Sequence, residues 1–234
     1  MPEQDLDRLQ EQIGHQFADL NLLKQALTHR SYLNENPSHP LGQNERLEFL
    51  GDAVLELVTT EYLYERFPRT PEGEMTNWRA ALVNATMLAS VAGDIALNDA
   101  LLLSRGEARD TGRARHYILA NAMEALIGAI YLDGGYVPAK EFIERFVLVR
   151  LQDVLDKKLY RDAKSLLQED AQERLGITPR YEVVKEWGPD HARQFRIGVL
   201  LGDELIAEGE GASKQDAQQV AAEEALKAKG WGGR

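Results

Sequence analysis

Glu45, Glu48 and Asp52 stand at positions i, i+3 and i+7 of the run Asn44-Glu45-Arg46-Leu47-Glu48-Phe49-Leu50-Gly51-Asp52-Ala53-Val54-Leu55. In a helix that spacing gathers three carboxylates on one face. Like charges so placed repel by roughly a few tenths of a kcal/mol per pair, so something positive is expected opposite them. A second run, Ile118 to Leu132, sets Asn121 and Glu124 at i and i+3 in a stretch otherwise apolar nearly all round. Such a helix is expected to be buried, and a buried carboxylate normally holds a partner or a metal. Two chemistries fit. One is a solvated acidic face plus a structural ion pair between Glu124 and an arginine. The other is a pair of helices facing each other around a hard cation such as Mg²⁺ or Mn²⁺, which takes oxygen donors and keeps several waters. The chain has no cysteine, so a metal here must use carboxylates, amides or imidazoles.

Both runs need helices to carry them. Leu47, Leu50, Val54, Leu57, Val58 and Tyr62 keep helical spacing from about Asn44 to Phe67, and Pro68 stops it. Tyr117 to Leu132 forms a second helix, closed by Gly134 and Gly135. Leu6, Leu9 and Ile13 start another, as do Leu22, Leu23 and Leu27, ahead of a polar loop over Asn34 to Gly42. Single helices are predicted over Glu74 to Val91 and Pro138 to Asp156, with the arginine- and glycine-rich Arg105 to His116 as an exposed loop. Residues 1–156 therefore read as an all-α domain, and residues 157–161 as a linker. Residues 162–234 change character: a helix over Ser165 to Leu175, strands over Tyr181 to Glu186, Gln194 to Leu201 and Leu205 to Gly209, and an alanine-rich helix over Lys214 to Lys229. This is a small α+β module, α-β-β-β-α, antiparallel because its connections are short.

Composition narrows the classes. With 44% hydrophobic residues the chain is an ordinary globular protein. Its first residues open on acid with no apolar run behind them, so no secretion signal is expected, and no apolar run approaches the ~20 residues that span a membrane. The lack of cysteine excludes disulfides and fits a reducing cytoplasm. The net charge of −11 would argue against a nucleic-acid partner only if the cations were evenly spread, since binding depends on where they sit.

The run Asn44 to Leu55 resembles the signature of the ribonuclease III catalytic domain, close to N-E-R-L-E-F-L-G-D-A-V-L. Leu27-Thr28-His29-Arg30-Ser31-Tyr32, Pro71-Glu72-Gly73-Glu74-Met75-Thr76 and Glu124-Ala125-Leu126-Ile127-Gly128-Ala129-Ile130-Tyr131-Leu132-Asp133 resemble the family's other blocks, in the family's order, within residues 5–155. The resemblance implies a Mg²⁺-dependent endoribonuclease, with Mn²⁺ able to substitute, that needs no organic cofactor. It implies cleavage of double-stranded RNA to 5′-phosphate and 3′-hydroxyl ends with a short 3′ overhang, in the processing of rRNA precursors and other structured transcripts. Glu48, Asp52, Asn121 and Glu124 fall on the family's metal cluster, with Asp52 and Glu124 catalytic, and Glu45 on its outer acidic position. Asn121 is a departure, since many members carry Asp there. By the same resemblance Phe49 plugs a socket on the second subunit of a homodimer. His29 and His116 read as structural or RNA-facing rather than as general bases. Two other classes stay open: an RNA-binding protein with a disabled nuclease domain, which Asn121 favours, and a scaffold holding structural Ca²⁺, which the last third does not suit.

Residues 162–231 resemble a double-stranded RNA-binding domain, a module that reads two minor grooves and the phosphates between them. The resemblance places Ser165, Gln168 and Glu169 of the first helix, Gly188, Pro189 and His191 of the first strand turn, and Ser213 and Lys214 of the last helix on RNA. The last motif is poor in cations, because Gln215 and Gln218 replace two of the usual basic residues, and from Asp162 onward acidic residues outnumber basic ones. Few phosphate contacts and a shallow salt dependence follow. Arg105, Arg109, Arg113 and Arg115 could supply charge from the first domain, or sit in a solvated loop. A protein-binding module of the same fold is the other reading of this third.

Overall fold

The computed structural model describes residues 3–109, 111–156, 160, 163–189 and 193–231. The chain divides into two compact units, Met1–Tyr160 and Arg161–Arg234. The linker expected at 157–161 lies outside the described residues except for Tyr160, whose ring packs edge-on against Trp78.

The first unit is helical: α1 Glu3–Ile13, α2 Leu20–Ala26, α3 Arg30–Glu35, α4 Glu45–Arg66, α5 Glu72–Val83, α6 Ala85–Asp94, α7 Leu97–Ala100, α8 Arg105–Arg109, α9 Arg113–Gly134, α10 Tyr136–Phe146 and α11 Leu151–Asp156. Its centre is α9, against which α2, α4, α6 and α10 pack. Ala120, Ala122, Met123, Ala125, Leu126, Ile127, Ala129 and Ile130 are all buried, so this helix is surrounded, as its apolar circumference requires. α4 offers it Leu47, Val54, Leu55 and Val58. The two helices meet backbone to backbone at glycine. A Cβ on Gly51 would stand 1.8 Å from the carbonyl oxygen of Glu124, and one on Gly128 would stand 2.2 Å from that of Leu47. Mid-helix glycine costs about 0.5–1 kcal/mol relative to alanine, and here it permits a contact that no other residue allows.

Three expectations fail in this unit, each for a local reason. The helix expected over Glu74 to Val91 is two helices, because Asn84 is extended and its side chain accepts from the Met87 N–H to cap α6. The helix expected over Pro138 to Asp156 is interrupted by a 3₁₀ turn at Leu148–Arg150, where the Arg150 N–H donates to Val147 O. Arg105 to His116 is not a loop throughout. Ser104 Oγ accepts from the Glu107 N–H at 3.2 Å and the Glu35 carboxylate accepts from the Arg105 N–H, which together start α8, and α9 begins by Arg113.

The second unit is α12 Ala163–Leu175, β1 Arg180–Trp187, β2 Gln194–Leu201, β3 Glu204–Gly211 and α13 Lys214–Lys229. The strands form one antiparallel sheet in the order β1-β2-β3, each expected strand being present and two of them one to two residues longer at either end. Leu167, Val199, Ala221, Ala222, Ala225 and Leu226 make a separate small core under the helices. Gly209 lets α13 lie close on β3, since a Cβ there would meet Ala221 N at 2.2 Å. Among the described residues no helix is long and apolar enough to cross a membrane.

Candidate active site

The Gly51–Gly128 crossing decides which polar side chains meet. On α4, Glu48 and Asp52 flank Gly51; on α9, Asn121 and Glu124 precede Gly128 by two turns and one. Asn121 of α9 lies close enough to Glu48 of α4 for its amide to favour the charged carboxylate. The amide N–H group is the part that does this, and the amide oxygen is of the type that can ligate a hard cation. Asn121 and Asp52 are exposed, whereas Glu48 and Glu124 are half-buried. Full burial of Glu124, expected from the apolar run, is therefore corrected: its side chain keeps part of its surface exposed.

Electrostatics tie the four together. Burial pushes the Glu124 carboxyl up to about 7, helped by the negative charges of Asp52 and then Glu48. Burial also raises Glu48, with Glu45 and Asp52 adding to it and Arg30 and the Asn121 amide opposing it. These carboxylates thus stress one another, and the Arg30 charge relieves Glu48 only in part. Glu45 sits at the rim, where Gln43 Nε2 donates to it at 3.0 Å and Arg30 Nη1 lies 3.6 Å away. Glu45, Glu48 and Asn121 line a cleft of about 450 Å³ together with His29, Arg30, Glu107 and Tyr117. His116 is outside that lining, its ring edge-on to Tyr117.

Among the described residues, no group of three or more His, Asp or Glu side chains is set to hold a metal ion by itself. The donor set nevertheless fits a hard cation. It is all oxygen, it carries surplus negative charge, and a dication between α4 and α9 would reverse both upward shifts.

Phe49 points away from this groove and is 81% exposed, which excludes core packing for it. Leu57 and Tyr64 are exposed on the same side of α4. In the second unit Ser165, Gln168 and Glu169 share the exposed face of α12. Gly188, at φ +91°, and Pro189 are exposed in the β1–β2 turn, and His191 lies outside the described residues. Ser213 Oγ accepts from the Asp216 N–H at 3.1 Å and so caps α13. Lys214 Nζ is 3.0 Å from Glu186 Oε1, and Lys164 Nζ donates to Gln218 Oε1 at 2.7 Å.

Residues 19–151 match the ribonuclease-III-like family, and residues 163–229 match the double-stranded RNA binding motif. The chain belongs to the ribonuclease III family. Ribonuclease 3 of Bdellovibrio bacteriovorus is 43% identical over 98% of both chains. Ribonuclease 3 of Enterococcus faecalis is 44% identical over 97% of this chain and 98% of its own. The nuclease domain of ribonuclease III from Campylobacter jejuni, described as having a region involved in dimer formation, is 42% identical with a TM-score of 0.56 over 61% of this chain and 95% of its own. As a ribonuclease III the chain is an endoribonuclease acting on double-stranded RNA, with the helical nuclease unit first and the RNA-binding unit second.

Two features of this ribonuclease III escape a reading of its sequence. The cleft lining brings Glu107 and Tyr117 to His29 and Arg30, segments that only folding joins. The block Leu27 to Tyr32 is the one signal that pointed there. Glu186, the partner of Lys214, had no signal, because a β1 glutamate and a helix-start lysine are far apart in sequence.

Proposed function

We propose that this ribonuclease is a homodimeric, Mg²⁺-dependent enzyme that hydrolyses each strand of an RNA duplex to 5′-phosphate and 3′-hydroxyl ends with a short 3′ overhang. Glu48, Asp52, Asn121 and Glu124 would hold the ion, and Mn²⁺ would serve in its place. The observation that carries this reading is the Glu124 carboxyl raised to about 7 by burial and by its two carboxylate neighbours across the groove, an arrangement that a dication relieves. When bound, such an ion supplies a water ionised near neutral pH and neutralises charge developing on the phosphoryl group. The Asn121 amide favours the charged form of Glu48, and Glu45 keeps Arg30 at the cleft rim.

The homodimer reading is supported by the exposed Phe49, Leu57 and Tyr64 and by an apolar groove of about 250 Å³ lined by Thr60, Leu63, Tyr64, Met75 and Thr76. Antiparallel packing of two α4 helices about a two-fold axis near Leu57 sets each Phe49 toward the other chain's groove. Resemblance to the family extends the reading to a cytoplasmic role in processing rRNA precursors and other structured transcripts. The test is incubation of a long RNA duplex with the protein and Mg²⁺, with and without chelator, followed by mapping of the ends. Cleavage that persists in chelator, or that occurs equally on single strands, refutes it.

A further inference from the structure

His29 does two jobs with its two ring nitrogens. Nδ1 faces the start of α3, where it accepts the Ser31 N–H at 3.3 Å and lies 2.8 Å from Ser31 Oγ. That hydroxyl accepts the Ser104 N–H at 3.0 Å and so has its own proton to give to Nδ1. A nitrogen that accepts cannot carry a proton, so in the neutral ring the proton is on Nε2. Burial favours the neutral ring by lowering its pKa from the ordinary histidine value, with Arg30 and Arg115 acting the same way and Glu107 and Glu45 opposing.

The backbone beneath the ring is fixed as well. The His29 N–H donates to Leu102 O at 3.1 Å, the Leu102 N–H donates to Leu27 O at 2.8 Å, and Thr28 pairs with Leu102. The ring lines the cleft that also holds Glu45, Glu48 and Asn121. Among the described residues Nε2 has no hydrogen-bond partner. The protein therefore presents, in the cleft that Glu45 and Glu48 also line, a donor whose tautomer is set and whose position is held.

A fixed N–H demands an acceptor. The base edges of a paired A-form strand are out of reach in its deep major groove, and recognition of the duplex by shape runs mostly through 2′-hydroxyls and phosphates. Of the backbone acceptors, phosphate oxygens are charged, and hydrogen bonds to charged groups are about twice as strong as neutral ones. An imidazolium at this position would oppose a dication at Glu48, whereas a neutral ring does not. We propose that His29 is a substrate-positioning residue: its Nε2–H donates to a non-bridging phosphate oxygen of the RNA strand in the cleft and exchanges no proton in the reaction. This rests on the cleft being where the cleaved strand lies.

Two substitutions separate the nitrogens. His29→Asn keeps an acceptor at the Nδ1 position, and asparagine is a good helix cap, but it has no atom at Nε2. His29→Gln keeps a donor near Nε2 and gives up the cap. The Asn variant is expected to melt with wild type, to show KM for duplex RNA raised about tenfold (~1.4 kcal/mol) and to hold kcat within about threefold. The Gln variant is expected to melt earlier and to keep KM. Wild-type KM in a folded Asn variant overturns the proposal, and so does loss of kcat at unchanged KM, which would mark proton transfer. Nitrogen NMR of the wild-type imidazole decides without any substitution. A protonated Nε2, with a resonance that moves when duplex is added in chelator, is expected; a proton on Nδ1, or an Nε2 resonance indifferent to duplex, overturns the assignment. Failure of the wild-type chain to cut duplex RNA at all would instead sink the nuclease reading, and this proposal with it.

Discussion

Replacing Asn121 by aspartate should make the ion-free protein less stable and the enzyme less demanding of Mg²⁺. In the present chain the Asn121 amide favours the charged Glu48 carboxylate and so opposes the burial that raises it. Aspartate deletes that donor and sets a carboxylate against a carboxylate already raised by Glu45 and Asp52. Two unit charges 4 Å apart repel by about 4 kcal/mol at the effective dielectric of a protein surface. Asn121 is exposed, so screening removes most of this, and a net loss of ~1–2 kcal/mol in chelator is the working figure. For a domain of this size that lowers Tm by roughly 2–8 °C. With the ion bound the sign reverses, because the same charge now sits at ligand distance from a dication. A tenfold lower Mg²⁺ concentration for half-maximal cleavage corresponds to ~1.4 kcal/mol, a small share of the attraction gained. Thermal melts in chelator and in Mg²⁺, with a Mg²⁺ titration of cleavage on one duplex, measure both halves. An unchanged or higher Mg²⁺ requirement in the aspartate form refutes Asn121 as a ligand, and an unchanged melt in chelator refutes the amide as a stabilising neighbour of Glu48.

Glu124→Gln should abolish cleavage while leaving duplex binding in gel shift within a few-fold. Because a raised carboxyl favours the folded state below its unfolded pKa and loses that contribution as pH rises through about 7, the same variant in chelator should melt above wild type at pH 8 and with it near pH 5. Gly128→Ala places a Cβ 2.2 Å from Leu47 O, so the helices must part; a loss of ~3 kcal/mol or more by denaturant unfolding, with cleavage lost in whatever remains folded, is expected. Glu186→Gln frees Lys214 from its 3.0 Å partner, and should tighten duplex binding and steepen its logarithmic salt slope by roughly one unit, as one more phosphate contact does.

The carboxylate stripe was legible because α4 has regular spacing, and its three acids occupy one face whatever lies opposite. The α-β-β-β-α order was legible because alternation and alanine content are local properties. What the chain hid is what depends on contacts between distant segments. Asn84 reads as a neutral helix residue until its side chain is seen accepting the Met87 N–H. The start of α8 needs Glu35, which is 70 residues from Arg105. Glu124 reads as buried because its neighbours in sequence are apolar, yet it is only half-buried and lies near Asp52 and Glu48, which only the crossing with α4 brings to it. Gly51 and Gly128 both stand inside quoted motifs, but a glycine in a helix does not say what it lets in.

Main-chain atoms alone separate α4 from α9 where they cross. The spacing between the carboxylates of the two helices is therefore gauged by peptide groups, which are the same in every protein, and not by side chains, which drift. Alanine, leucine and isoleucine elsewhere around α9 can be exchanged and repacked over evolutionary time without resetting that gauge. A chemistry that tolerates little positional error is in this way insulated from a core that tolerates a good deal.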